Sequence, residues 1–199
     1  MREIVTSCPD LGVKYVTIFA FSTENWKRTQ SEVAGLMSLF RRYIMKEMQA
    51  FVKENVRVRF IGDRLKLDDK LRGLMDEAEE MTQQCTGTNL TIALNYGGRD
   101  EVSRAAKRLA TDVASGRLSP DAIDEETLPK YLDTYFLPDP DLVIRTSGEA
   151  RISNFLLWQS AYAEYEFIDT LWPDFTSDVF AELIWNYGAR DRRYGAVTA

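Results

Sequence analysis

The sequence predicts a single α/β domain, residues 1–199, with a mostly parallel sheet covered by helices. Two observations support this prediction. Strand-like and helix-like segments alternate along the whole chain, which is the order that builds a parallel sheet between two layers of helices. The 199 residues are 45% hydrophobic, which is enough apolar material for one full core, and no repeat or long linker divides them.

The first half of the chain opens with a strand and a long amphipathic helix. Residues 13–21 are rich in β-branched and aromatic side chains and predict a buried strand. Thr29 and Glu32 have the spacing of a capping box, which predicts a helix N-terminus at Thr29. The apolar face of this helix comprises Val33, Leu36, Met37, Phe40, Ile44, Met48 and Phe51, and the polar face comprises Arg41, Arg42, Lys46 and Glu47.

The remaining elements continue the alternation. The paired glycines Gly97 and Gly98 predict a tight strand-to-helix turn, because glycine adopts positive φ and permits close backbone approach. Hydrophobic periodicity predicts strands at 56–60, 90–94, 141–145 and 165–168, and helices at 68–84, 100–115, 126–132 and 177–187.

Composition excludes several classes of function. The net charge of −6 repels nucleic acid, so we expect no nucleic-acid partner. The chain has no histidine, which excludes a Ser-His-Asp triad and a zinc site with histidine ligands. Cys8 and Cys85 are too few for a disulfide framework, and no apolar run reaches transmembrane length, so we expect a cytoplasmic protein.

The strand at 141–145 leads into the strongest candidate site. It ends in Arg145, and Arg151 and Ser153 follow a turn of small residues. Arginine suits phosphate because its planar fork donates two parallel hydrogen bonds and stays charged. Surface ion pairs with Asp141 and Glu149 are the alternative interpretation. Position favours an anion site, because ligands of parallel sheets bind beyond the carboxyl ends of the strands.

Polar residues also follow the strand at 13–21. On residue types alone these could form an ordinary loop. Because this loop and the Arg145 loop both leave the carboxyl ends of strands, we expect them to share one site. The residues concerned are Ser22, Glu24, Asn25, Trp26 and Arg28.

These two segments closely resemble the cis-prenyltransferases, the undecaprenyl diphosphate synthase family, and the resemblance extends over residues 2–195. It implies an enzyme that condenses isopentenyl diphosphate onto an allylic diphosphate such as farnesyl diphosphate. The product would be a cis-polyprenyl diphosphate, in bacteria the undecaprenyl precursor of the cell-wall lipid carrier, which can partition into membrane. The resemblance also implies Mg²⁺ as cofactor, a homodimer, and an enzyme that is cytoplasmic or peripheral to the membrane.

The resemblance assigns roles to individual residues. Ser22 and Asn25 match residues near the carbon that loses a proton, with Glu24 supporting them. Arg28 matches a residue that holds the allylic diphosphate, and Trp26 belongs to the same substrate-binding turn. The diphosphate of isopentenyl diphosphate would be bound by Arg145, Arg151 and Ser153, Mg²⁺ by Glu164, and a dimer partner's substrate by Arg193 and Gly195.

The resemblance further implies a tunnel for the growing hydrocarbon tail. Helical and strand periodicity alone would assign the same side chains to ordinary core packing. The two interpretations are compatible, because such a tunnel is a core that contains a gap. The tunnel residues would be Ala20, Leu36, Leu39, Phe40 and Val56.

One part of the family pattern has no match in this sequence. Family members begin with a strand followed by an Asp-Gly-Asn-Gly-Arg-Trp loop, whose aspartate serves Mg²⁺. We therefore expect a sheet without the first family strand and a chain that is inactive as it stands. The leading hypothesis is a cis-prenyltransferase whose recorded sequence starts late. The alternative is a catalytically inactive partner subunit, or a truncated gene product, of the same family.

Overall fold

The computed structural model describes residues 1–190 and has the predicted α/β architecture. Strands and helices alternate along most of its length, with short 3₁₀ turns between them. The strands are β1 (Tyr15–Ser22), β2 (Arg57–Ile61), β3 (Asn89–Tyr96), β4 (Leu142–Arg145) and β5 (Glu164–Phe167). The helices are α1 (Arg2–Ser7), α2 (Gln30–Lys53), α3 (Asp69–Met81), α4 (Gly98–Ala114) and α5 (Ser177–Gly188).

The strands form two parallel sheets. In the larger sheet β3 lies between β1 and β2, and in the smaller sheet β4 pairs with β5. The central position of β3 buries nearly all of its side chains, as expected for a strand covered on both faces. No ladder joins β1 to β4 within the part of the chain that the structure describes, and a cleft separates the two sheets. The prediction of a parallel sheet covered by helices is confirmed.

Helix α2 begins where the capping box predicts. The Thr29 N–H donates to the Glu32 carboxylate at 3.1 Å, and the Glu32 N–H donates to the Thr29 hydroxyl at 3.4 Å. The assignment of Glu47 to the polar face is wrong, because Glu47 is only 7% exposed. Its carboxylate lies 3.8 Å from Arg2 of α1. Arg2 of α1 thus reaches this side of α2, which the periodicity of α2 alone does not reveal.

The free edge of β2 is closed by side chains rather than by another strand. The Val58 N–H donates to the Thr82 hydroxyl at 3.0 Å, and the Phe60 N–H donates to the Glu79 carboxylate at 2.8 Å. The Gly62 N–H, just past the strand, donates to Asp133 at 3.1 Å. These side chains occupy N–H donors that an added strand would need, which protects the edge.

Local details differ from the sequence-based expectations. The helix predicted at 126–132 is a single 3₁₀ turn, Leu128–Tyr131. The positive φ near this turn falls at Asn95 (+53°), within the last residues of β3, whereas Gly97 is extended at −161°. Asparagine tolerates the left-handed region better than most residues. Among residues 1–190, no helix combines the length and the apolar character needed to cross a membrane.

Candidate anion site and its apolar cavity

The carboxyl ends of β1 and β3 lie side by side, with Ser22 opposite Tyr96. From this edge the 3₁₀ turn Thr23–Lys27 leaves β1, and helix α4 begins two residues after Tyr96. The turn is internally ordered, because the Ser22 N–H donates to the Asn25 side-chain oxygen at 2.9 Å. The predicted residues Ser22, Glu24 and Asn25 are therefore held on one rigid turn at the edge of the sheet.

Trp26 fastens this turn to the rest of the edge. Its indole N–H donates to the side-chain oxygen of Asn95 at 2.6 Å, and its ring meets Phe21 edge-on with centroids 5.3 Å apart. Asn95 in turn donates to the Asp63 carbonyl at 2.6 Å. Trp26 thus anchors the turn, which is a structural task in addition to the substrate contact that the resemblance implies. Arg28, at the end of the turn, is exposed.

The segment after β4 is conformationally strained. Four of its non-glycine residues have φ in the left-handed region, which is costly unless the surrounding structure holds them there. Concentrated strain of this kind is typical of ligand-binding loops. The four are Ser147 (+73°), Ser153 (+49°), Asn154 (+64°) and Leu156 (+44°).

Arg145 is the most informative side chain of this segment. It is partly buried at the end of β4, and its Nε is fully enclosed without a hydrogen-bond partner among the described residues. A buried, unpartnered guanidinium nitrogen is costly, so its presence suggests a ligand that accepts its hydrogen bond. Arg151 differs, because its guanidinium is largely exposed and paired with Glu149.

Asn154 connects the two predicted segments. Its side-chain N–H₂ donates to the Glu24 carboxylate at 2.8 Å, although the two residues are far apart in sequence. Partial burial raises the pKa of the Glu24 carboxyl, but hydrogen bonds led by the Asn154 amide lower it more, so the pKa lies below its ordinary value. The 3₁₀ turn Thr23–Lys27 (the β1 turn) and the segment that follows β4 (the Arg145 loop) are therefore in direct contact, as they would be if they formed one site.

A cavity of about 1040 Å³ opens between β1 and β4, mostly lined by apolar side chains. Arg145 and Arg151 lie on its wall, so the charged and apolar parts are continuous. Three predicted tunnel residues, Ala20, Leu39 and Phe40, also line it. The other two, Leu36 and Val56, pack in the core beneath α2, and Val56 is only 1% exposed.

Glu164, the predicted Mg²⁺ ligand, is not brought together with Arg145. The two residues lie at opposite ends of the small sheet, since Glu164 pairs with Leu142 and Arg145 pairs with Phe167. Three residues of strand correspond to roughly 10 Å. Glu164 instead accepts from Arg190 at 2.7 Å. Among residues 1–190, no group of three or more acidic or cysteine side chains lies close enough together to hold a metal ion. Arg193 and Gly195 lie outside the described residues.

A buried carboxylate behind the site was not anticipated from the sequence. Glu101 is 0% exposed and accepts from the Tyr96 hydroxyl at 2.6 Å, from Gln159 at 2.9 Å and from the Asp133 N–H at 2.9 Å. Burial raises the pKa of Glu101, and the donors Gln159 and Tyr96 only partly oppose that rise. Asp133 continues the network through a two-pronged pair with Arg104.

The fold and the site together define a class of protein. It is an α/β domain with a candidate anion site around Arg145 at the end of one strand, beside a large apolar cavity. The family comparison identifies the class more closely. A family model described as "Putative undecaprenyl diphosphate synthase" matches residues 1–195, and the chain belongs to this family of isoprenyl transferases.

Individual relatives agree with this assignment. The chain is 52% identical to an isoprenyl transferase of Agrobacterium fabrum and 50% identical to one of Rhizobium meliloti, covering at least 99% of this chain and 80% of each relative. A crystal structure of lavandulyl diphosphate synthase from Lavandula x intermedia, in complex with dimethylallyl diphosphate, matches at a TM-score of 0.94. The two are 34% identical, over 98% of this chain and 84% of that one.

A second solved structure extends the comparison to bacteria. A probable undecaprenyl diphosphate synthase from Campylobacter jejuni matches at a TM-score of 0.87 and 39% identity. The match covers 98% of this chain and 91% of that one. At these identities the likeness supports both the fold and the family.

Proposed function

We propose that this protein condenses isopentenyl diphosphate onto an allylic diphosphate and so lengthens a cis-polyprenyl chain. The observation that carries the proposal is the buried Nε of Arg145 without a partner among the described residues, on the wall of an apolar cavity. A diphosphate ester of a hydrocarbon satisfies both halves of this site. The anion completes the hydrogen bonding of Arg145, and the hydrocarbon fills the cavity with apolar surface.

The reaction makes one carbon–carbon bond and breaks one carbon–oxygen bond. The terminal alkene carbon of isopentenyl diphosphate attacks the first carbon of the allylic substrate, and the allylic diphosphate leaves with the bonding electrons. A proton then passes from the isopentenyl unit to water or to the released diphosphate, and the electrons of that carbon–hydrogen bond form the new cis double bond. In this proposal Arg145, Arg151 and Ser153 hold the isopentenyl diphosphate, while Arg28 contacts the allylic diphosphate.

The turn after β1 would serve the proton loss. Glu24 is a carboxylate at neutral pH, because its pKa lies below the ordinary value. Ser22 and Asn25 lie on the same turn and are ordered by their mutual hydrogen bond. A preorganised polar turn of this kind stabilises developing charge without rearranging during the reaction. Mg²⁺ and the homodimer remain predictions from the resemblance, as does a cytoplasmic location.

The proposed activity has a direct test. The purified full-length protein is incubated with radiolabelled isopentenyl diphosphate, farnesyl diphosphate and Mg²⁺. We expect radiolabel in a chain-elongated, organic-extractable polyprenyl diphosphate, and NMR of the product should show that the added double bonds are cis. Absence of elongation, or added double bonds that are all trans, would overturn the proposal.

The partner-subunit alternative has less support. A subunit that only assists a sister chain has no need of an ordered Ser22–Asn25 turn or of a buried Arg145 whose Nε lacks a partner among the described residues.

The cavity wall offers a test of the tail-binding part of the proposal. Ala20 lines the cavity at an irregular point of the β1–β3 register. We expect Ala20→Leu to shorten the products, because the larger side chain occupies space that a growing tail would use. Early turnover should change less than final length. Chromatography of the products measures the effect, and Ala110→Leu on the exposed face of α4 serves as control. An unchanged distribution of product lengths would show that Ala20 is an ordinary core residue and does not contact the growing tail.

A further inference from the structure

Asn154 makes three contacts that join three separate segments of the site. Its side-chain N–H₂ donates to Glu24 at 2.8 Å, as described above. Its side-chain oxygen accepts from the Arg99 N–H at 2.9 Å, and its backbone carbonyl accepts from the Gly98 N–H at 2.7 Å. Asn154, which follows Ser153, therefore contacts both the β1 turn and the first turn of α4.

The contact with α4 replaces a missing helix cap. The N-cap residue of α4 is Gly97, which has no side chain to accept from the first N–H groups of the helix. Those groups need acceptors, since no intrahelical partner exists for them. Asn154 supplies two acceptors from a distant segment and adopts a φ of +64° to do so. Asparagine is among the few residues that tolerate that conformation.

The three segments are in close contact where they meet. A Cβ added to Gly97 would lie 2.5 Å from the Thr23 hydroxyl and 2.8 Å from the Asn154 amide nitrogen. A Cβ on Gly98 would lie 2.8 Å from the Leu157 side chain. At these distances a residue larger than glycine would force the neighbouring side chains to move. The β1 turn, the start of α4 and the loop at Asn154 thus fix one another sterically as well as by hydrogen bonds.

We propose that Asn154 is a positioning residue, which acts through Glu24 to hold the β1 turn at a fixed distance from the Arg145 loop. The inference rests on the proposed function, because it gives the two segments the same reaction to serve. Arg145 and Ser153 bind one substrate, and the turn with Glu24 and Asn25 acts on it. Loss of the hydrogen bond from the Asn154 amide to the Glu24 carboxylate would leave substrate binding largely intact. It would displace the β1 turn from the position in which it acts on the bound substrate.

Asn154→Asp separates the capping task from the positioning task. Aspartate keeps an oxygen for the Arg99 N–H, and negative charge is favourable at a helix N-terminus. It removes the donor to Glu24 and places two carboxylates face to face. We expect kcat to fall roughly tenfold to a hundredfold, with the KM for isopentenyl diphosphate changing by much less. The thermal midpoint should move by only about 3 °C or less.

Combining Glu24→Gln with Asn154→Asp reverses the direction of this hydrogen bond. In the Glu24→Gln background, the new glutamine amide can donate to the carboxylate that Asn154→Asp introduces, so adding that second substitution should change kcat by less than about threefold. An equal loss in both backgrounds, an unchanged kcat in the single variant, or a KM loss as large as the kcat loss would each overturn the proposal. If Asn154→Asp alone does not fold, the double variant keeps the proposal testable, because a double variant that is unfolded, or that has much lower kcat than Glu24→Gln, would overturn it.

Asn55→Asp is the matched control. Asn55 also has a positive φ (+54°), accepts from a backbone N–H (that of Thr86, at 2.8 Å) and donates to a side-chain oxygen. It lies just before β2, at the amino end of the large sheet and away from the site. We expect Asn55→Asp to leave kcat unchanged, and an equal loss there would overturn the proposal. Absence of turnover in the unsubstituted protein would instead contradict the proposed function.

Discussion

Arg145→Ala is expected to weaken the binding of isopentenyl diphosphate by roughly tenfold to 150-fold, because a charge-assisted hydrogen bond contributes roughly 1.5–3 kcal/mol. The Nε of Arg145 is enclosed and has no partner among the described residues, so a bound diphosphate supplies the acceptor that the protein lacks. Arg151→Ala should have a smaller effect, because Glu149 already pairs with its guanidinium. Isothermal titration with each substrate measures both changes.

The stability of the Arg145→Ala variant distinguishes a binding role from a structural one. Removing an enclosed donor without a partner relieves a cost in the ligand-free protein, so we expect the free energy of unfolding to stay equal or rise. The allylic diphosphate should bind nearly as well as before. Arg72→Ala, on α3 with an exposed partner in Asp69, serves as control. Equal losses for both substrates, or a marked loss of stability, would contradict the assignment of Arg145 to isopentenyl diphosphate.

Local signals predicted the elements that depend on local chemistry. The capping box at Thr29 and Glu32 needs only a three-residue spacing, and helix α2 begins there. The alternating segments predicted the parallel strands with shifts of one or two residues at their ends. Glu47 was assigned to the wrong face, because its burial depends on where α1 lies and not on the periodicity of α2. Helical periodicity cannot predict the burial of any polar side chain that is covered by a segment distant in sequence.

The candidate site was predictable in its parts and not in its connections. Arg145, Ser22 and Asn25 carry recognisable residue types at or just after strand ends, and the rule that ligands bind beyond the carboxyl ends of strands predicts a shared site for them. Asn154 was not singled out, because its contact with Glu24 spans 130 residues and leaves no periodic trace. The Mg²⁺-binding role that the resemblance implies for Glu164 stays a prediction, and the strand register places Glu164 at the other end of the small sheet from Arg145.

Glu101→Ala is expected to destabilise the protein by roughly 3–5 kcal/mol, which is a large part of a typical folding free energy. The substitution removes the shared acceptor of the Tyr96 hydroxyl, the Gln159 amide and the Asp133 N–H. Each would become a buried donor that has lost this acceptor. Urea denaturation followed by circular dichroism measures the change. Glu77→Ala on the exposed side of α3 is the control and should stay within about 0.5 kcal/mol.

Glu101→Gln tests whether charge or hydrogen bonding matters more. Burial raises the pKa of Glu101 above its ordinary value of 4.5, so the folded state holds the proton more tightly than the unfolded state does. The contribution of this group to stability is therefore greatest at acid pH and declines as pH rises from 4.5 through the raised pKa. Glutamine does not titrate, so Glu101→Gln should remove that decline and keep part of the hydrogen bonding. A variant as unstable as Glu101→Ala would show that the network requires two carboxylate oxygens, because only a carboxylate can accept from all three donors at once.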